Sequence, residues 1–275
     1  MSGGGVDPVL YSKYHHLQER DVNDFLLASA SILNWGNLTN KVVMDVGCGP
    51  GNTSCSWFLM LFPAVKGLIG IDVQEEMIGL AKILNPHPKI EFMVADITDE
   101  TSVECWEGTL NKVISTWCFQ FIKDQQIAFR NIYNLLRPGG EAAILFEINS
   151  SYHVCYEEIM KSPKWNTIFE SVAAEYPEIC TQNVNAAHYK QLLTEMGFKV
   201  VMCTKKQKSF TFSSDDDCIG YALSMFAWHK KVPDERMEEF RSDLLQEFSK
   251  YGGRESNGRI TIHYSLMNIL VKKPS

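Results

Sequence analysis

The sequence contains no CxxC pair, although its 275 residues include eight cysteines, which argues against a zinc site or a dithiol redox motif. We therefore expect no metal. Scattered cysteines in apolar segments favour a reducing, cytoplasmic setting, where they act as small hydrophobes. The stretch Met1–Asp7 is rich in glycine and lacks the apolar core of a signal peptide. The longest apolar stretch, Trp57–Val65, is too short to span a bilayer.

Basic charge is also scarce, since the formal net charge is −7 and the isoelectric point is about 5.5. This balance argues against a nucleic-acid partner, which favours a basic excess. The short run Lys205–Lys208 is expected to be a solvated strand or loop edge. Hydrophobic residues make up 45% of the chain and charged residues 21%, as in a protein that buries a real core. A homodimer is compatible with this composition.

Short apolar runs alternate with helical patterns over most of the chain, and this rhythm predicts a doubly wound α/β fold with a parallel sheet. The predicted strands are Val42–Val46, Gly67–Ile71, Ile90–Ala95, Lys112–Trp117, Glu141–Ile148, Lys199–Cys203 with a continuation to Phe212, and Ile260–Val271. The predicted helices are Tyr11–Trp35, Thr53–Leu61, Glu75–Leu84, Gln125–Leu136, Tyr189–Met196, Asp216–Trp228 and Asp234–Tyr251. Strands and helices in this order place ligands beyond the carboxyl ends of the strands.

The chain is interpreted as a disordered N-terminus over residues 1–9 followed by a single domain over residues 10–275. Two segments, about 150–188 and 213–257, exceed what a minimal nucleotide-binding sheet requires. We expect them to be helical additions that cap the carboxyl edge of the sheet.

A glycine-rich loop, DVGCGPG (Asp45–Gly51), directly follows the first apolar strand. Gly47, Gly49 and Gly51 permit tight dihedral angles and a close approach of the backbone to a ligand. The dinucleotide pattern G-x-G-x-x-G fails because Asn52 occupies the third glycine position, and a P-loop is also absent. The remaining pattern, acid-x-Gly-x-Gly-x-Gly, resembles motif I of class I methyltransferases, which bind S-adenosylmethionine.

Acidic residues follow the next two strands in the positions that such a cofactor requires. Asp72 ends the second strand, where an ionised carboxylate accepts hydrogen bonds from both ribose hydroxyls. Asp96 follows the third strand and is placed to accept from the adenine amino group, and Trp117 closes the fourth strand. The cofactor-binding residues predicted on this basis are Asp45, Gly47, Cys48, Gly49, Gly51, Asp72, Val73, Met77, Asp96, Ile97 and Trp117.

Longer stretches of the chain resemble the insect and arthropod juvenile hormone acid O-methyltransferase family. They are LYSKYHHLQERD (Leu10–Asp21), DVGCGPGNTS (Asp45–Ser54), FIKDQQIAFRNIYNLLRPGG (Phe121–Gly140) and YEEIMKSPKW (Tyr156–Trp165). The resemblance covers about residues 10–270. It implies a class I methyltransferase, Rossmann-like sheet of seven mostly parallel strands with an antiparallel last strand and helical cap insertions. It also implies methyl transfer from S-adenosylmethionine to farnesoic acid or juvenile hormone acid, a step of juvenile hormone biosynthesis.

The resemblance assigns a catalytic role to Gln18, because a glutamine of the family's L-Q-x-R-D stretch lies against the cofactor and the substrate carboxylate. The alternative for Gln18 is a solvent-facing helix residue. Family members commonly carry His-Trp after the fourth strand, where this chain has Gln120 and Phe121. A carboxylic acid is already ionised at neutral pH, so we expect Gln18 and Gln120 to orient it for direct in-line attack. The residues predicted to line an apolar substrate pocket are Phe121, Tyr152, Trp165, Phe169, Tyr221, Met225, Phe226 and Trp228.

Other acceptors and one other class of function remain open. The sequence after the fourth strand, STWCFQF, lacks the [N/D]-P-P-[Y/F/W] motif of adenine- and glutamine-amide methyltransferases. A fatty acid, a phenol or an amine could be the acceptor, and a phenol would need a base such as His153 or His188. A protein that binds S-adenosylmethionine without turnover, as a regulator, is the alternative outside the enzymes.

Overall fold

A computed structural model describes residues 6–173, 185–225 and 227–275. Its strands are β1 (Val42–Val46), β2 (Gly67–Asp72), β3 (Ile90–Val94), β4 (Leu110–Thr116), β5 (Leu136–Ser150), β6 (Lys199–Thr211) and β7 (Thr261–Lys272). They form one seven-stranded sheet in the order β3-β2-β1-β4-β5-β7-β6. The first five strands pair in parallel, and the last strands are antiparallel. This confirms the predicted mostly parallel, seven-stranded α/β sheet.

The described residues contain eleven α-helices, two before β1 and the others between the strands. They are α1 (Pro8–Tyr14), α2 (His16–Ile32), α3 (Leu59–Leu61), α4 (Glu75–Leu84), α5 (Glu100–Val103), α6 (Gln125–Leu135), α7 (Ser151–Lys161), α8 (Asn166–Ala173), α9 (Ala186–Glu195), α10 (Asp215–Met225) and α11 (Met237–Tyr251). Three of them, α5, α7 and α8, were not among the individual helices predicted from the sequence, although α7 and α8 fall in a segment expected to be helical.

Strand β1 is an interior strand of the sheet, and most of its apolar side chains are buried. Val43 and Met44 are fully buried, and β1 pairs with β2 on one side and with β4 on the other. Parallel pairing brings the carboxyl ends of β1, β2 and β4 to one edge. The loops that carry the predicted cofactor residues therefore start from a common edge of the sheet.

The N-terminal helical region differs from the single helix predicted over Tyr11–Trp35. His15 leaves the helical conformation and separates α1 from α2. Helix α1 begins at Pro8, inside the stretch expected to be disordered, because the side chain of Asp7 caps it. The Asp7 carboxylate accepts from the backbone N–H groups of residues 9 and 10 at 3.1 and 3.0 Å and pairs with Lys230 at 2.9 Å. Residues 1–5 lie outside the described residues.

The helix predicted over Thr53–Leu61 has an unusual form. Residues Thr53–Phe58 form a π-helix, and only the last turn, α3, is α-helical. Such widened turns often occur at functional sites. Here the π-helix directly follows the glycine-rich loop.

The described chain divides into two compact units. The sheet unit comprises residues 16–147, 185–206 and 266–275, and the helical unit comprises residues 6–15, 148–173, 207–225 and 227–265. In the helical unit, α1 packs against α10, and α11 packs against α7 and α10. The predicted cap segments lie largely in the helical unit, apart from residues 174–184 and 226, which fall outside the described part of the chain. That these segments cap the sheet stays a prediction.

Two further properties concern membranes and metals. None of the described helices has the length and apolar character needed to cross a bilayer. Within the same residues, no three His, Cys, Asp or Glu side chains are grouped so that they could hold a metal ion.

Candidate functional site

The glycine-rich loop is fixed against the end of the neighbouring strand. Gly47, Gly49 and Gly51 all have positive φ angles, of 69°, 53° and 84°, which side chains with a Cβ rarely adopt. The backbone N–H groups of Gly47 and Cys48 both donate to the carbonyl oxygen of Ile71, at 2.8 and 3.0 Å. The loop is therefore held at the carboxyl end of β2 by backbone bonds.

The three glycines are needed for different reasons. A Cβ atom on Gly47 would lie 2.2 Å from Sγ of Cys118, and one on Gly51 would lie 2.6 Å from the ring of Phe92. A Cβ atom on Gly49 would have no heavy atom of the described residues within 4 Å, apart from its chain neighbours. Gly47 and Gly51 thus leave room for the side chains of Cys118 and Phe92. Gly49 instead exposes its backbone to open space, where a ligand can approach.

The predicted ribose acceptor, Asp72, is oriented by the backbone on both sides. Its Oδ2 accepts from the N–H of Gly49 at 3.0 Å, and its Oδ1 accepts from the N–H of Gln74 at 2.9 Å. Burial raises the pKa of Asp72, and the two backbone hydrogen bonds oppose the rise. Each carboxylate oxygen can accept more than one hydrogen bond, so a vicinal diol still finds an acceptor here.

The first acid of the loop, Asp45, has a different environment. It is 1% exposed, its Oδ2 accepts from the hydroxyl of Ser54 at 2.5 Å, and its Oδ1 has no partner among the described residues. Burial raises the pKa of Asp45 to about 7, the charge of Asp72 adds to the rise, and the hydrogen bond from Ser54 opposes it. A buried acceptor atom without a partner at a ligand loop is a place where a donor on the ligand would be favoured.

The turn after β3 carries the residues predicted to face the adenine. Oδ1 of Asp96 accepts from the N–H and the hydroxyl of Thr98, at 2.8 and 2.7 Å. The carbonyl oxygen of Ile97 accepts from the side chain of Asn131 at 2.8 Å. The second carboxylate oxygen of Asp96 has no described hydrogen bond, which leaves it available for an amino group.

The apolar residues predicted near the adenine differ in exposure. Met77 and Ile97 are buried, whereas Val73 is 42% exposed. Cys48 is buried in an apolar cluster with Ile78, Ala81 and Phe92. Burial, together with the charges of Asp45 and Asp72, holds the pKa of Cys48 well above its usual range. The Cys48 thiol is therefore a packing group, and its contribution to the loop comes from its backbone.

The segment after β4 has a strained start. Trp117 is buried, and its φ angle of 56° lies in the left-handed region, which is unusual for a large side chain. Its backbone N–H donates to the carbonyl of Leu145 at 2.8 Å. Residues Phe119–Phe121 then form a short 3-10 turn that contains Gln120. Strain of this kind persists only where the surroundings fix the backbone, and it is concentrated at functional sites.

The two predicted catalytic amides are both buried in the sheet unit. Gln18 lies in the first turn of α2 and is 2% exposed, so it is not the solvent-facing residue of the alternative interpretation. Helix α2 packs against the π-helix that follows the glycine-rich loop. In Gln120, Nε2 donates to the carbonyl of Trp117 at 3.0 Å, and Oε1 has no partner among the described residues. One of the two Nε2 hydrogens of Gln120 is thus already used.

The residues predicted to form the substrate pocket belong to both units, and their common lining stays a prediction. Phe121 is half-buried in the sheet unit. The others that are described lie in the helical unit, where Trp165 donates to Asp243 at 2.8 Å and Tyr152 packs edge-on against Tyr221 at 5.8 Å. Met225 is also buried as core. Phe226 lies outside the described residues.

A small apolar pocket, with a cavity volume of about 10 Å³, is present inside the helical unit. Its lining consists of Tyr156, Ile159, Met160, Phe169, Ala222, Leu223, Trp228, His229 and Phe240. Among the predicted substrate residues, Trp228 and Phe169 belong to it. The candidate bases differ in position, since His153 is buried against the ring of Tyr152 and His188 is exposed on α9.

The described residues fit S-adenosylmethionine, the cofactor that the loop pattern implies. Gly49 offers open backbone, Asp72 and Asp96 offer carboxylate oxygens at the ends of adjacent parallel strands, and Oδ1 of Asp45 is an acceptor without a partner. Gly49, Asp72 and Asp45 would hold its methionine and ribose parts, and Asp96 with Met77 would face the adenine.

Several residues that build this site carry no clear signal in the sequence and were not predicted. They include Ser54, which donates to Asp45, Asn131, which donates to the carbonyl of Ile97, and Cys118, which lies against Gly47. Each of these partners is distant in the chain or lies across a turn. Gln125 was also missed. Only Ser54 carried a local signal, since it lies in the quoted stretch DVGCGPGNTS.

Comparisons with known proteins point to the same chemistry. Residues 44–144 match a family described as a methyltransferase domain, and this match lies within the sheet unit. The juvenile hormone acid O-methyltransferase of Drosophila melanogaster is 24% identical over 238 residues, which are 86% of this chain and 80% of that protein. The Bombyx mori protein of the same name is 25% identical and covers 86% and 84%. A trans-aconitate 2-methyltransferase of Yersinia pestis is 26% identical and covers 68% and 66%.

Solved structures share the fold. The YcgJ protein of Bacillus subtilis has a TM-score of 0.58 at 12% identity and covers 90% of this chain and 99% of that chain. Phosphoethanolamine N-methyltransferase 2 of Haemonchus contortus, in complex with S-adenosyl-L-methionine, has a TM-score of 0.51 at 15% identity, with coverage of 90% and 53%. These likenesses confirm the class I methyltransferase fold predicted from the sequence.

Proposed function

We propose that this protein, an S-adenosylmethionine-dependent methyltransferase, esterifies the carboxylate of a sesquiterpenoid acid, either farnesoic acid or juvenile hormone acid. The observation that carries the proposal is the pair of buried amide side chains, Gln18 and Gln120, in the unit that holds the glycine-rich loop. Support also comes from the insect relatives, whose names specify a juvenile hormone acid as the methyl acceptor.

The reaction requires alignment more than proton transfer. S-adenosylmethionine supplies a methyl group on a positively charged sulfur. The acceptor carboxylate is ionised at neutral pH, so one oxygen–carbon bond forms while the sulfur–carbon bond breaks, and no proton moves. Holding the oxygen in line with the methyl carbon and sulfur can contribute roughly 7–11 kcal/mol. In this proposal the chain's own residues hold the carboxylate in that geometry.

Neutral amides suit this task better than charged donors. The carboxylate loses its charge as the ester forms, so a lysine or arginine partner would stabilise the ground state more than the transition state. An amide N–H orients the oxygen with a weaker bond. In Gln120 one Nε2 hydrogen is used by the carbonyl of Trp117, and the second hydrogen is the donor that we assign to the acceptor. Gln18 supplies the other donor.

The hydrocarbon part of the acceptor calls for apolar surface. Phe121 follows Gln120 directly and is half-buried. In the helical unit, Trp228 and Phe169 line an apolar pocket of about 10 Å³, which offers apolar surface but not the volume of a hydrocarbon chain. Tyr152, Trp165, Tyr221 and Met225 are buried as core, and we assign them a supporting role in shaping the helical unit.

A second candidate is methylation of another small carboxylic acid. The relative named trans-aconitate 2-methyltransferase favours this alternative, because its acceptor is also a carboxylic acid. The same alignment by amides would serve both acceptors. A phenol or an amine would need a base, but His188 is exposed on α9 and His153 is buried against the ring of Tyr152, so those acceptors are less favoured.

The test is a competition assay with purified protein and labelled S-adenosylmethionine. The acceptor mixture contains farnesoic acid, juvenile hormone acid, trans-aconitate, medium-chain fatty acids and simple phenols, and products are identified by mass. Methyl esters of the terpenoid acids are expected to dominate. Esters of the other acids alone would support the second candidate. Calorimetric binding of S-adenosylmethionine without any product would instead favour a regulator that does not turn over.

A further inference from the structure

The short turn that carries Gln120 is anchored by a relay of two buried side chains. The carbonyl oxygen of Phe119 accepts from Nε2 of Gln125 at 2.7 Å. Oε1 of the same Gln125 accepts from the hydroxyl of Tyr189 at 2.8 Å. Gln125 is 9% exposed and Tyr189 is 1% exposed, so both hydrogen bonds are shielded from water. The relay links α9 to the segment that follows β4.

Its point of attachment determines what it controls. The carbonyl of Phe119 belongs to the peptide group that joins Phe119 to Gln120. A hydrogen bond to this oxygen fixes the orientation of that peptide plane and hence the direction in which the Gln120 side chain leaves the backbone. The same side chain is bound to the carbonyl of Trp117, whose backbone is in the left-handed region. The side-chain amide of Gln120 is thus positioned by the carbonyls of Trp117 and Phe119 and, through the latter, by the side chains of Gln125 and Tyr189.

Both ends of the relay are themselves rigid. Gln125 is the first residue of α6, whose N-cap, Asp124, accepts from the N–H of Ile127 at 3.1 Å. The ring of Tyr189 packs edge-on against the ring of Phe146, with centroids 5.3 Å apart.

The residue that accepts the relay, Phe119, is also packed in place. Its ring centroid lies 5.7 Å from that of Phe146 and 4.6 Å from that of Phe129. The relay therefore connects fixed helices to the turn.

We propose that Gln125 and Tyr189 are positioning residues that set the geometry of Gln120 for the methyl acceptor. This inference rests on the proposed role of Gln120 in orienting the acceptor carboxylate. Neither residue is assigned to bind cofactor or acceptor directly. They act on turnover through the peptide group before Gln120, because small displacements of an aligning group reduce rates strongly.

The first test replaces one hydroxyl. Tyr189→Phe removes the bond to Gln125 and keeps the ring packing, and we expect kcat for the acceptor found in the competition assay to fall about 10-fold. The dissociation constant of S-adenosylmethionine should stay within about 2-fold, which a general loss of structure would not allow. Tyr133→Phe is the matched control, because its ring packs on Phe198 and no hydrogen bond to its hydroxyl is described. An unchanged kcat in Tyr189→Phe would overturn the proposal.

The second test is a double-mutant cycle with Gln120→Ala. If the relay acts through Gln120, Tyr189→Phe should lower kcat much less in the Gln120→Ala background than in the wild-type background. Equal losses in both backgrounds would show that the relay acts elsewhere and would overturn the inference. If Gln120→Ala alone leaves kcat unchanged, the proposed role of Gln120 fails, and the inference fails with it.

A third readout does not depend on turnover. With 15N-labelled glutamine, the side-chain amide signal of Gln120 is assigned as the one lost in Gln120→Ala. That signal should shift in Tyr189→Phe and in Gln125→Leu and stay unchanged in Gln126→Leu, since Gln126 is the exposed neighbour of Gln125 on α6. A shift combined with no ester product would leave the relay standing and would count against the proposed acceptor. An unshifted signal in Tyr189→Phe would overturn the relay itself.

Discussion

At the scale of single residues, Asp72 carries the most direct prediction. Its two oxygens are already oriented by the N–H groups of Gly49 and Gln74. Asp72→Asn removes the negative charge that strengthens its bonds to a diol, and hydrogen bonds to charged groups contribute about 1.5–3 kcal/mol. We expect calorimetry to show S-adenosylmethionine binding weakened about 10- to 100-fold. Asp99→Asn is the control, because Asp99 is an exposed helix cap that accepts from Thr101.

If the affinity of Asp72→Asn equals that of the wild type, the carboxylate does not contact the ribose. The assignment of β2 as the ribose-binding strand would then have to be abandoned. A loss of affinity in Asp99→Asn of the same size would point to general damage instead.

Gln18 is expected to affect the acceptor more than the cofactor. Gln18→Leu keeps a buried side chain of similar size and removes the amide donor. We expect kcat/KM for the acceptor to fall about 10- to 100-fold, in line with the loss of one aligning group, while cofactor affinity changes less. Steady-state kinetics and calorimetry measure the two effects. Gln191→Leu, on the exposed face of α9, should leave both unchanged. Full turnover by Gln18→Leu would remove Gln18 from the mechanism.

The sequence allowed the cofactor residues to be predicted because their spacing follows the strands. Gly47, Gly49 and Asp72 each come at a fixed place relative to a strand end, so a short window contains the signal. The relay of Gln125 and Tyr189 has no such window. Its partners are 64 residues apart in the chain, and neither residue type is unusual on a helix. The same holds for Cys118, which matters because it occupies the space that a Cβ on Gly47 would take.

At the scale of elements, helix and strand limits followed from local patterns where those patterns were complete. Helix α4 runs over Glu75–Leu84 as predicted, since Pro86 stops it two residues later. The break at His15 had no such marker, because no proline or glycine lies near it. Helix α1 is held by α10, which is about 200 residues away in the chain, so only tertiary contacts reveal where the first helix ends.

The contact between α1 and α10 gives a prediction about a single glycine. A Cβ atom on Gly220 in α10 would lie 2.3 Å from the ring of Tyr14 in α1. Glycine to alanine in a helix normally stabilises by about 1 kcal/mol, but the clash should reverse the sign. We expect Gly220→Ala to lower the free energy of unfolding by about 1–3 kcal/mol in denaturant titrations. Gly79→Ala in α4 should stabilise, because the new Cβ would meet no heavy atom of another described element within 4 Å.

Relief of the clash provides the check. In a Tyr14→Ala background, Gly220→Ala should lower the free energy of unfolding much less than it does in the wild type. Equal costs in both backgrounds would show that the ring of Tyr14 does not limit the packing of α1 on α10.

At the scale of the whole molecule, the chain enters each compact unit more than once. Most of the helical unit comes from the segments predicted to be helical, around residues 150–188 and 213–257. That residues 6–15 join them is not predictable from local patterns. This join depends on the buried carboxylate of Asp7, which caps α1 and pairs with Lys230, and no local pattern identifies a partner so distant in the chain.

The pH dependence of overall stability is expected to carry the signature of Asp45. Its pKa is about 7 in the folded protein and 3.8 as the ordinary value, so between these pH values the folded state binds a proton that the unfolded state has lost. Stability therefore falls as pH rises from about 4 to 7 through this group. The raised pKa of Asp72 acts in the same direction, whereas the lowered pKa of Asp7 stabilises above about 4 and this stabilisation is lost on acidification.

Asp45→Asn separates the Asp45 contribution from the others. Free energies of unfolding, measured by urea titration at pH 5, 6, 7 and 8 without cofactor, should decline less steeply in Asp45→Asn than in the wild type. Ser54→Ala should act in the opposite direction, because the hydroxyl of Ser54 opposes the rise in the pKa of Asp45, and its removal extends the declining range to higher pH. Identical pH profiles for the wild type and Asp45→Asn would mean that Asp45 is ionised throughout, and its buried charge would then need a hydrogen-bond donor at Oδ1 to stabilise it.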